Sequence, residues 1–569
     1  MKKSLINLSY LLLIPLGLII YAKVLNGPFV FDDHAYIALN PWVKSLSNFI
    51  DVKGMRYAGD LSFALTYKFW ALDPFGYHLI NVLIHIVNSI IVFFLCGLIL
   101  KTPLLKAKLS DERKVLWFSF CVSLIFLCHP IQTQAVAYIS QRYTSLATLF
   151  YLASCSSYLK ARLLRSEDKR HLHWYVTAFI SAIFAMKTKE ISFTLPFVVM
   201  ILEFSLFSSD ISFGKRIKFL APILLTAIII PLSLILPDVG ITEGGNRAEE
   251  LFRLRKLNEA ASISRYQYLL TETTVIITYL RLMFLPVGQH FNYYYPLAES
   301  IFEPVVLLSF IVLSLFFISG IYLLFRSEKG WGRIAGLGMV WFFITLSVES
   351  SVIPIRDVIN EHRMYLPAFG LIIAFFSGVF YLLESAIKRG SRLDAEKAVA
   401  IMLIIIAVPL SSASYMRNTV WGNKFLLYAD EVKKNPLSVS PHMNIGIIYY
   451  ERGQYNEAIG HFKEAERINP ASVYVHRTLG KFYFHIGDMD KAMEEYRKII
   501  TLDPDREEYI EARYNLGVLY MKKGFFNMAE EEFRKVLEKN NNDKHAIKAL
   551  EMISKQKANK APFAVKESK

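Results

Sequence analysis

Cysteine is scarce in this chain of 569 residues. There are four, none of them part of a Cys-x-x-Cys pair, and all lie in or beside apolar stretches: Cys96, Cys121, Cys128 and Cys155. Disulfide frameworks and structural zinc sites need cysteines at close, regular spacings. We therefore expect neither a disulfide framework nor a cysteine zinc site.

Charged residues are also few, at 20% of the chain against 54% hydrophobic residues. Apolar blocks of about 18 residues or more are long enough to cross a bilayer, and many such blocks lie before residue 422. The chain beyond that point lacks them and is rich in charge. The composition predicts an all-α polytopic membrane domain, residues 1–422, followed by a soluble domain.

The net charge of +15 raises the question of nucleic-acid binding. In the membrane domain, however, Lys and Arg are concentrated in short loops between apolar blocks, as in 101–114 and 160–170. The positive-inside rule explains this distribution and places these loops in the cytoplasm. We therefore expect a lipid bilayer as a partner and no nucleic acid.

The apolar blocks predict about eleven membrane spans. Lys2 and Lys3 precede the first block, and no small-x-small cleavage site follows it, so we expect an uncleaved span with a cytoplasmic N-terminus. Spans one and two are placed near 5–25 and 79–100. Spans three and four lie on either side of 129–133, and spans five and six on either side of 187–190. The remaining five are placed near 219–236, 305–325, 334–353, 366–384 and 397–414.

The apolar segment 269–286 is predicted to be re-entrant or interfacial. Counted as a span, it would turn the later basic loops 326–333 and 385–396 outward, against the positive-inside rule. It also contains Glu272 and Arg281, and charges that face lipid are costly. The resulting odd number of spans places the C-terminal domain on the outer side, together with the first polar segment.

A pattern of fixed period follows residue 435. The pairs that recur every 34 residues are Asn435-Pro436, Asn469-Pro470 and Asp503-Pro504, and Gly-x-x-Tyr begins at Gly446, Gly480 and Gly517. The pattern resembles the tetratricopeptide repeat, a helix pair that stacks into an α-solenoid. We predict about three repeats with capping helices over 423–554 and a Lys-rich flexible tail over 555–569. The repeats serve either as a spacer or as a protein-binding groove.

Two adjacent acids, Asp32 and Asp33, follow the first span. Either acid alone fits a helix cap or a solvated loop, but the pair between Phe-Val-Phe and an aromatic segment points to a functional site. A polar stripe at helical spacing begins the second span, at His78, Asn81, His85 and Asn88. Metal binding by the two histidines is one interpretation; hydrogen bonding to neighbouring helices is the favoured one.

Other charged and polar residues fall in the predicted outer connections: His129, Arg142, Lys189, Glu190, Glu361, His362 and Arg363. Cations beside carboxylates suit a phosphate-bearing substrate, because Arg and Lys hold phosphate oxygens while a carboxylate accepts a proton or binds a metal. Topology alone does not show that these side chains meet.

Several passages together resemble the GT-C glycosyltransferases that use polyprenyl-phosphate sugars, in particular the protein O-mannosyltransferases with tetratricopeptide repeats and their prokaryotic relatives. The matching passages are Phe31-Asp32-Asp33, Gly76 to Asn81 with His85, His129 to Val136, Lys189-Glu190, Ser351 to Pro354, Glu361 to Pro367, and the repeats. The resemblance implies a GT-C-like membrane domain with its active site at the outer face.

The resemblance also implies roles for the candidate residues. Asp32 and Asp33 are the expected catalytic acids, with Asp32 favoured as base and Asp33 as a ligand if a divalent cation, Mg²⁺ or Mn²⁺, takes part. Arg142, Lys189, His362 and Arg363 are expected to bind the donor phosphate, supported by His78, His129, Glu190 and Glu361. Gln134 stands where eukaryotic relatives have Glu, so it receives no acid role.

The function implied is transfer of a sugar from a polyprenyl-phosphate donor to Ser or Thr hydroxyls of a protein acceptor bound by the repeats. The alternatives are an oligosaccharyl- or glycan- and lipid-modifying transferase of the same fold, a membrane scaffold without catalysis, and a transporter, for which the membrane half shows no internal repeat. We expect a prokaryotic inner membrane with a periplasmic active site, or the endoplasmic reticulum in a eukaryote.

Overall fold

The structure is a computed structural model that describes residues 9–50, 54–109, 111–207, 212–235, 263–351, 353–355, 357–389, 394–502 and 507–560. The chain divides into two compact units, Met1–Leu427 and Tyr428–Lys569. The regular elements of the described residues are all helices. The predicted all-α fold class is confirmed.

The first unit is a bundle of long apolar helices joined by short helical connections. Its helices are α1 (Leu13–Ile20), α2 (Tyr57–Trp70), α3 (Pro74–Leu100), α4 (Glu112–Cys128), α5 (Arg142–Ser166), α6 (Leu172–Met186), α7 (Leu195–Leu206), α8 (Phe213–Leu225), α9 (Ile229–Ile235), α10 (Arg265–Phe284), α11 (Pro304–Arg326), α12 (Gly330–Leu346), α13 (Pro367–Lys388) and α14 (Ala395–Trp421).

Five of the described helices are long and apolar enough to cross a membrane: α3, the stretch Phe213–Ser233, α11, α13 and α14. A sixth is added if α4 and Pro130–Ala137, which bend by 51°, form one span. Shorter apolar helices lie at Ser9–Ile20, α6 and α12. The protein is thus an integral membrane protein, and the number of about eleven spans stays a prediction.

Helix α10 is one unbroken helix of 20 residues. It is not among the described helices that are long and apolar enough to span. Its assignment as re-entrant or interfacial remains a prediction, although the structure shows no break within it.

The connection between α4 and α5 is longer than the predicted 129–133. It runs from His129 to Gln141 in short helical turns, and α5 begins only at Arg142. Residues 129–140 are all buried. The sequence misleads here because residues 135–139 are apolar, as in a span, whereas their side chains pack against protein.

The polar stripe of α3 faces the protein interior, as its helical spacing predicts. His78, Asn81, His85 and Asn88 are at most 1% exposed. The amide of Asn81 donates to the carbonyls of Val136 and Ile139 at 3.2 Å, and the Nδ1 atom of His85 lies 2.7 Å from the Tyr365 hydroxyl. The favoured interpretation, hydrogen bonding to neighbouring elements, is confirmed for these two residues.

The second unit contains the repeats as helix pairs. After α15 (Lys424–Lys434) come the pairs α16 (Val439–Glu451) with α17 (Tyr455–Ile468), α18 (Val473–His485) with α19 (Met489–Leu502), and α20 (Glu507–Lys522) with α21 (Phe526–Lys539), followed by α22 (Lys544–Lys560). The periodic glycines lie where the helices of a pair approach most closely: a Cβ on Gly446 would lie 2.5 Å from the ring of Phe462.

The last helix continues beyond residue 555, where the sequence analysis places the start of a flexible tail. Ile553 is buried, and Lys557 pairs with Glu530 of α21 at 2.6 Å, so packing and charge hold α22 in place up to Lys560. The rest of the predicted tail, 561–569, lies outside the described residues.

Candidate active site

Asp33 is fully buried, and each of its carboxylate oxygens accepts a backbone hydrogen bond. Oδ1 accepts from the N–H of Ser140 at 2.7 Å, and Oδ2 accepts from the N–H of Val30 at 3.0 Å. Burial raises the pKa of Asp33 to about 7, against the lowering effect of these two N–H groups. Asp33 therefore ties the first polar segment to the connection that precedes α5.

Asp32 has a different environment, although it is the next residue in the chain. Its side chain is only partly buried, and its backbone N–H donates to the Tyr138 hydroxyl at 2.9 Å. The preceding residue, Phe31, has a positive φ of 48°, a conformation that is costly for a residue with a Cβ. This turn lets Asp33 point into the protein while Asp32 stays near the surface.

Aromatic rings surround this turn. The Phe31 ring stacks on Phe291 with centroids 3.7 Å apart and an interplanar angle of 7°. Tyr138 stacks on Trp421 at the end of α14, with centroids 5.9 Å apart. Rings hold a turn rigidly because each ring buries a large area with few rotatable bonds. The backbone beside Asp32 is thus fixed from three parts of the chain.

The segment after α10 joins this turn to the Glu361–Met364 helical turn. Gln289 donates to Glu361 Oε2 at 2.8 Å, and the Tyr293 hydroxyl donates to Glu361 Oε1 at 2.6 Å. Glu361 is fully buried. The structure therefore brings Glu361 into contact with the 289–293 segment, whose Phe291 stacks on Phe31 beside the acid pair.

His362 is linked to the same 289–293 segment through Gln134. The His362 N–H donates to Gln134 Oε1 at 2.7 Å, and the Gln134 amide donates to the carbonyl of Phe291 at 3.3 Å. Because Phe291 also stacks on Phe31, the chain of contacts from His362 to the acid pair is continuous. Gln134 thus links the 361–364 turn to the segment after α10.

Lys189 is buried and paired. Its ammonium lies 2.7 Å from Glu349 Oε1 and donates to the Thr144 hydroxyl at 2.9 Å. Its neighbour Glu190 accepts a two-pronged contact from Arg56, whose Nη2 lies 3.0 Å from Oε1 and 3.3 Å from Oε2. Burial alone would raise the pKa of Glu190, but the Arg56 guanidinium outweighs burial and the pKa is lowered.

The guanidinium of Arg142, a predicted phosphate contact, is surrounded by protein groups. It is 0% exposed and donates to Asn81 Oδ1 at 2.6 Å, the Thr66 hydroxyl at 2.8 Å and the carbonyl of Tyr77 at 2.9 Å. It also lies over the Phe63 ring, 4.5 Å from its centroid. These contacts favour a structural role, because they fix α2 against α3 and α5.

Arg363 is likewise enclosed by protein groups. It donates to the carbonyls of Val358 at 2.8 Å and Asp357 at 2.5 Å, and lies 3.5 Å from Glu272 of α10. It is 3% exposed. The structure thus places Arg363 at the joint between α10 and the 357–363 connection, and its predicted phosphate contact stays a prediction.

The two supporting histidines are buried as well. His129 Nδ1 accepts from the N–H of Ile131 at 3.1 Å, so Nε2 donates to the carbonyl of Met283 at 2.9 Å, and the ring is neutral. His78 is 1% exposed and lies against Gly27, where a Cβ would be 3.0 Å from Nε2. Both rings position backbone segments near the first polar segment and the α4–α5 connection.

Each carboxylate oxygen of Asp33 already accepts a backbone N–H group, which disfavours a divalent cation there; the predicted cation stays a prediction. Among the described residues, the group of His and acidic side chains close enough to share an ion lies in the repeats: Glu466, His476 and Glu495. There the Lys498 ammonium lies 3.0 Å from both Glu466 and Glu495, so a cation is already supplied by the chain.

Several residues of the site are not evident from the sequence, notably Tyr138, Phe291, Tyr293, Glu349 and Arg56. The run of aromatic residues at 291–295 is the one signal that indicates some of them. The others belong to no motif, because their contacts join segments far apart in the chain.

The helical membrane unit with its acid pair, one residue buried and one partly exposed, precedes the helix-pair repeats in the chain. The repeats match two family profiles, "TPR repeat" over residues 446–487 and "Tetratricopeptide repeat" over 478–506 and 510–543. The predicted tetratricopeptide repeats are confirmed.

Across most of its length the chain is similar to protein O-mannosyl-transferases. It is 23% identical to one from Caenorhabditis elegans, covering 79% of this chain and 61% of the relative. It is 24% identical to Tmtc3 of Drosophila melanogaster, covering 73% and 48%. It is 31% identical to TMTC2 of Mus musculus, covering 31% and 21%. The resemblance expected from the motifs is confirmed, and the chain spans at most about three fifths of these relatives.

Proposed function

We propose that this protein is a membrane glycosyltransferase that moves a hexose from a polyprenyl-phosphate donor to Ser or Thr hydroxyls of a protein acceptor. Mannose is the sugar in the names of its relatives. The reaction takes place at the outer face, periplasmic or lumenal, and the tetratricopeptide repeats bind the acceptor.

The contrast between the two acids carries this proposal. Asp33 is fully buried and binds two backbone segments, whereas the Asp32 side chain is partly exposed and its backbone is fixed by Tyr138. A general base must be reachable by the substrate and held in place. Asp32 meets both conditions, so we assign it the role of base and Asp33 the role of positioning residue.

In the proposed step, the acceptor hydroxyl oxygen attacks the anomeric carbon and its proton goes to the Asp32 carboxylate. The bond between the anomeric carbon and the phosphate oxygen breaks, and the lipid phosphate leaves with the electron pair. No step requires a metal. Of the four predicted phosphate contacts we retain His362, because it is joined to the acid pair through Gln134 and Phe291.

The test is a comparison of O-glycosylation in cells that contain the wild-type chain, Asp32→Asn, or no chain. Proteins that the wild-type full-length chain captures are identified, and the same proteins from all three kinds of cell are analysed by mass spectrometry for hexose on Ser and Thr. We expect the hexose to be present with the wild type and lost in both other cases. If Asp32→Asn retains full occupancy, Asp32 is not the base; if occupancy is the same without the chain, the protein is a scaffold.

A further inference from the structure

One pair of side chains recurs at the same position in each helix pair of the repeats. Its first member lies four residues before the repeat glycine, on the first helix, and its second lies three residues after a buried alanine, on the second helix. The two members are 19 residues apart in every repeat, and their side chains are in contact: His442 with His461, His476 with Glu495, and Arg513 with Glu532. The pair therefore links the two helices of each repeat.

In the second and third repeats the second member of the pair is an acid. His476 Nδ1 lies 2.7 Å from Glu495 Oε2, and His476 Nε2 donates to the carbonyl of Pro470 at 2.8 Å. Burial alone would lower the pKa of His476, but the hydrogen bond to Glu495 outweighs burial and the pKa is raised. Protonation therefore strengthens this link. In the third repeat Arg513 is always charged and pairs with Glu532.

The first repeat has a second histidine, His461, at the position of the acid. When both rings are neutral, His442 Nε2 donates to the carbonyl of Pro436 at 3.2 Å, so its Nδ1 accepts from the Nδ1–H of His461 at 3.1 Å. A first proton can bind Nε2 of His461 without breaking this hydrogen bond. A second proton breaks it, because both Nδ1 atoms would then carry a hydrogen and both rings a positive charge.

The surroundings of the His442–His461 pair disfavour a second positive charge. Burial lowers the pKa of His461, and the neighbouring His442 lowers it further. Glu464 of α17 interacts electrostatically with His442, but its carboxylate is partly exposed and lies 2.7 Å from Arg467. Other titratable or charged side chains on the neighbouring helices are Tyr449, whose ring stacks on His461, Asp430, Glu431 and Lys434 of α15, and His476 and Tyr483 of α18, which face Glu466 and Lys463.

We propose that the His442–His461 pair is a pH-sensitive link: as pH falls, the two helices of the first repeat separate more readily, while those of the other two repeats do not. The separated histidines bind two protons, each near the ordinary pKa of about 6.5, whereas the linked pair binds one. Separation therefore takes up at least one proton and becomes about tenfold more favourable for each pH unit below 6.5. The link acts in this way whatever reaction the membrane unit performs.

The test is amide hydrogen–deuterium exchange of the full-length protein in lipid nanodiscs. Mass spectrometry gives the protection of each segment at pH 7.5 and pH 5.0, corrected for the intrinsic effect of pH on exchange. In the wild type we expect the protection of residues 439–468 to fall about 30-fold between the two pH values, the factor that uptake of one proton below 6.5 gives. Residues 507–539, which contain Arg513 and Glu532, are the internal reference and should keep their protection.

The matched variant is His461→Glu, which copies the His476–Glu495 pair into the first repeat. The double variant His442→Arg with His461→Glu copies the Arg513–Glu532 pair and replaces the single variant if that one does not fold. The folded variant should retain in 439–468 at pH 5.0 the protection that it has at pH 7.5. Unchanged protection in the wild type would overturn the proposal. An equal fall in the wild type and the variant, or in 439–468 and 507–539, would also overturn it, because acid would then act at another group.

Discussion

Asp32 and Asp33 show how neighbouring residues of one type can have different chemistry. The side chain of Asp33 is part of the fold, since it accepts from Val30 and Ser140, which are far apart in the chain. The strained φ of 48° at Phe31 is the backbone feature that separates the two carboxylates. Strain of this kind persists where the surroundings over-determine the conformation.

The role of Asp33 in the fold can be measured with Asp33→Asn. The asparagine side chain has one acceptor oxygen, so one of the two backbone N–H groups loses its partner, at a cost of about 1–3 kcal/mol of unfolding free energy. We expect a lower apparent melting temperature in detergent. Asp111→Asn is the control, because its carboxylate caps α4 at an exposed site where Asn caps equally well. Equal melting temperatures for the wild type and Asp33→Asn would refute the assignment.

The raised pKa of Asp33 predicts a pH dependence with a definite sign. Burial raises this pKa from its ordinary value of 3.8 to about 7, so the folded state binds the proton more tightly than the unfolded state. The contribution of Asp33 to stability is therefore present at acidic pH and is lost as pH rises to about 7. We expect the advantage in melting temperature of the wild type over Asp33→Asn to shrink as pH rises to about 7 and to be constant above it. A difference that is constant throughout would contradict the raised pKa.

At the scale of elements, charged side chains hold connections between helices of the membrane unit together. Lys189 joins the α6–α7 connection to Glu349 after α12, and Arg363 joins α10 to the 357–363 connection. Buried charges persist when they are paired and hydrogen-bonded, and removing one partner is costly. These two ion pairs thus fix the connections relative to the helices that they contact.

The Lys189–Glu349 pair predicts a coupled response. Lys189→Met leaves the partly buried Glu349 carboxylate without its ammonium and should cost about 3 kcal/mol of stability, the lower end for a buried pair, whereas Lys189→Met with Glu349→Leu should cost clearly less. Thermal unfolding of the wild type, of the single variants Lys189→Met and Glu349→Leu, and of the double variant measures the coupling. Lys169→Met is the control, because Lys169 and Glu167 form an exposed pair. Additive effects of the two substitutions would show that the pair is not coupled.

The helix pairs of the repeats and the buried face of α3 could be predicted because residues of one type recur at a helical or repeat spacing. The repeat glycines and the polar stripe of α3 follow fixed spacings, and both lie where the spacing predicts. The roles of Arg142 and Arg363 were not predictable in this way. A cation at the end of a span has the same sequence signature whether it faces a substrate or a backbone carbonyl, and only the tertiary contacts distinguish the two cases.

At the scale of the whole molecule, a membrane-embedded unit that holds an acid pair and a repeat unit with a protein-binding architecture share one chain. This combination suits modification of a protein by a lipid-linked donor, because the donor lies in the bilayer and the acceptor must be held by a soluble surface. The similarity to protein O-mannosyl-transferases supports the same combination.

The geometry of Asp33 also predicts how the reaction responds to metal removal. Because both of its oxygens accept backbone N–H groups, we expect the rate of sugar transfer by purified protein to be unchanged by EDTA. The assay is repeated with added Mg²⁺ and Mn²⁺. Loss of transfer with EDTA and recovery with either ion would place a cation in the site and overturn the metal-independent step.

The role of Asp32 as the base of a glycosyl transfer is tested most directly with purified protein in lipid nanodiscs. The assay follows labelled mannose from a polyprenyl-phosphate donor to a Ser- and Thr-containing acceptor. We predict transfer by the wild type and by Asp111→Asn, and a rate about 10²–10⁴-fold lower for Asp32→Asn, the usual contribution of a general base. Transfer by folded Asp32→Asn at the wild-type rate would contradict the claim.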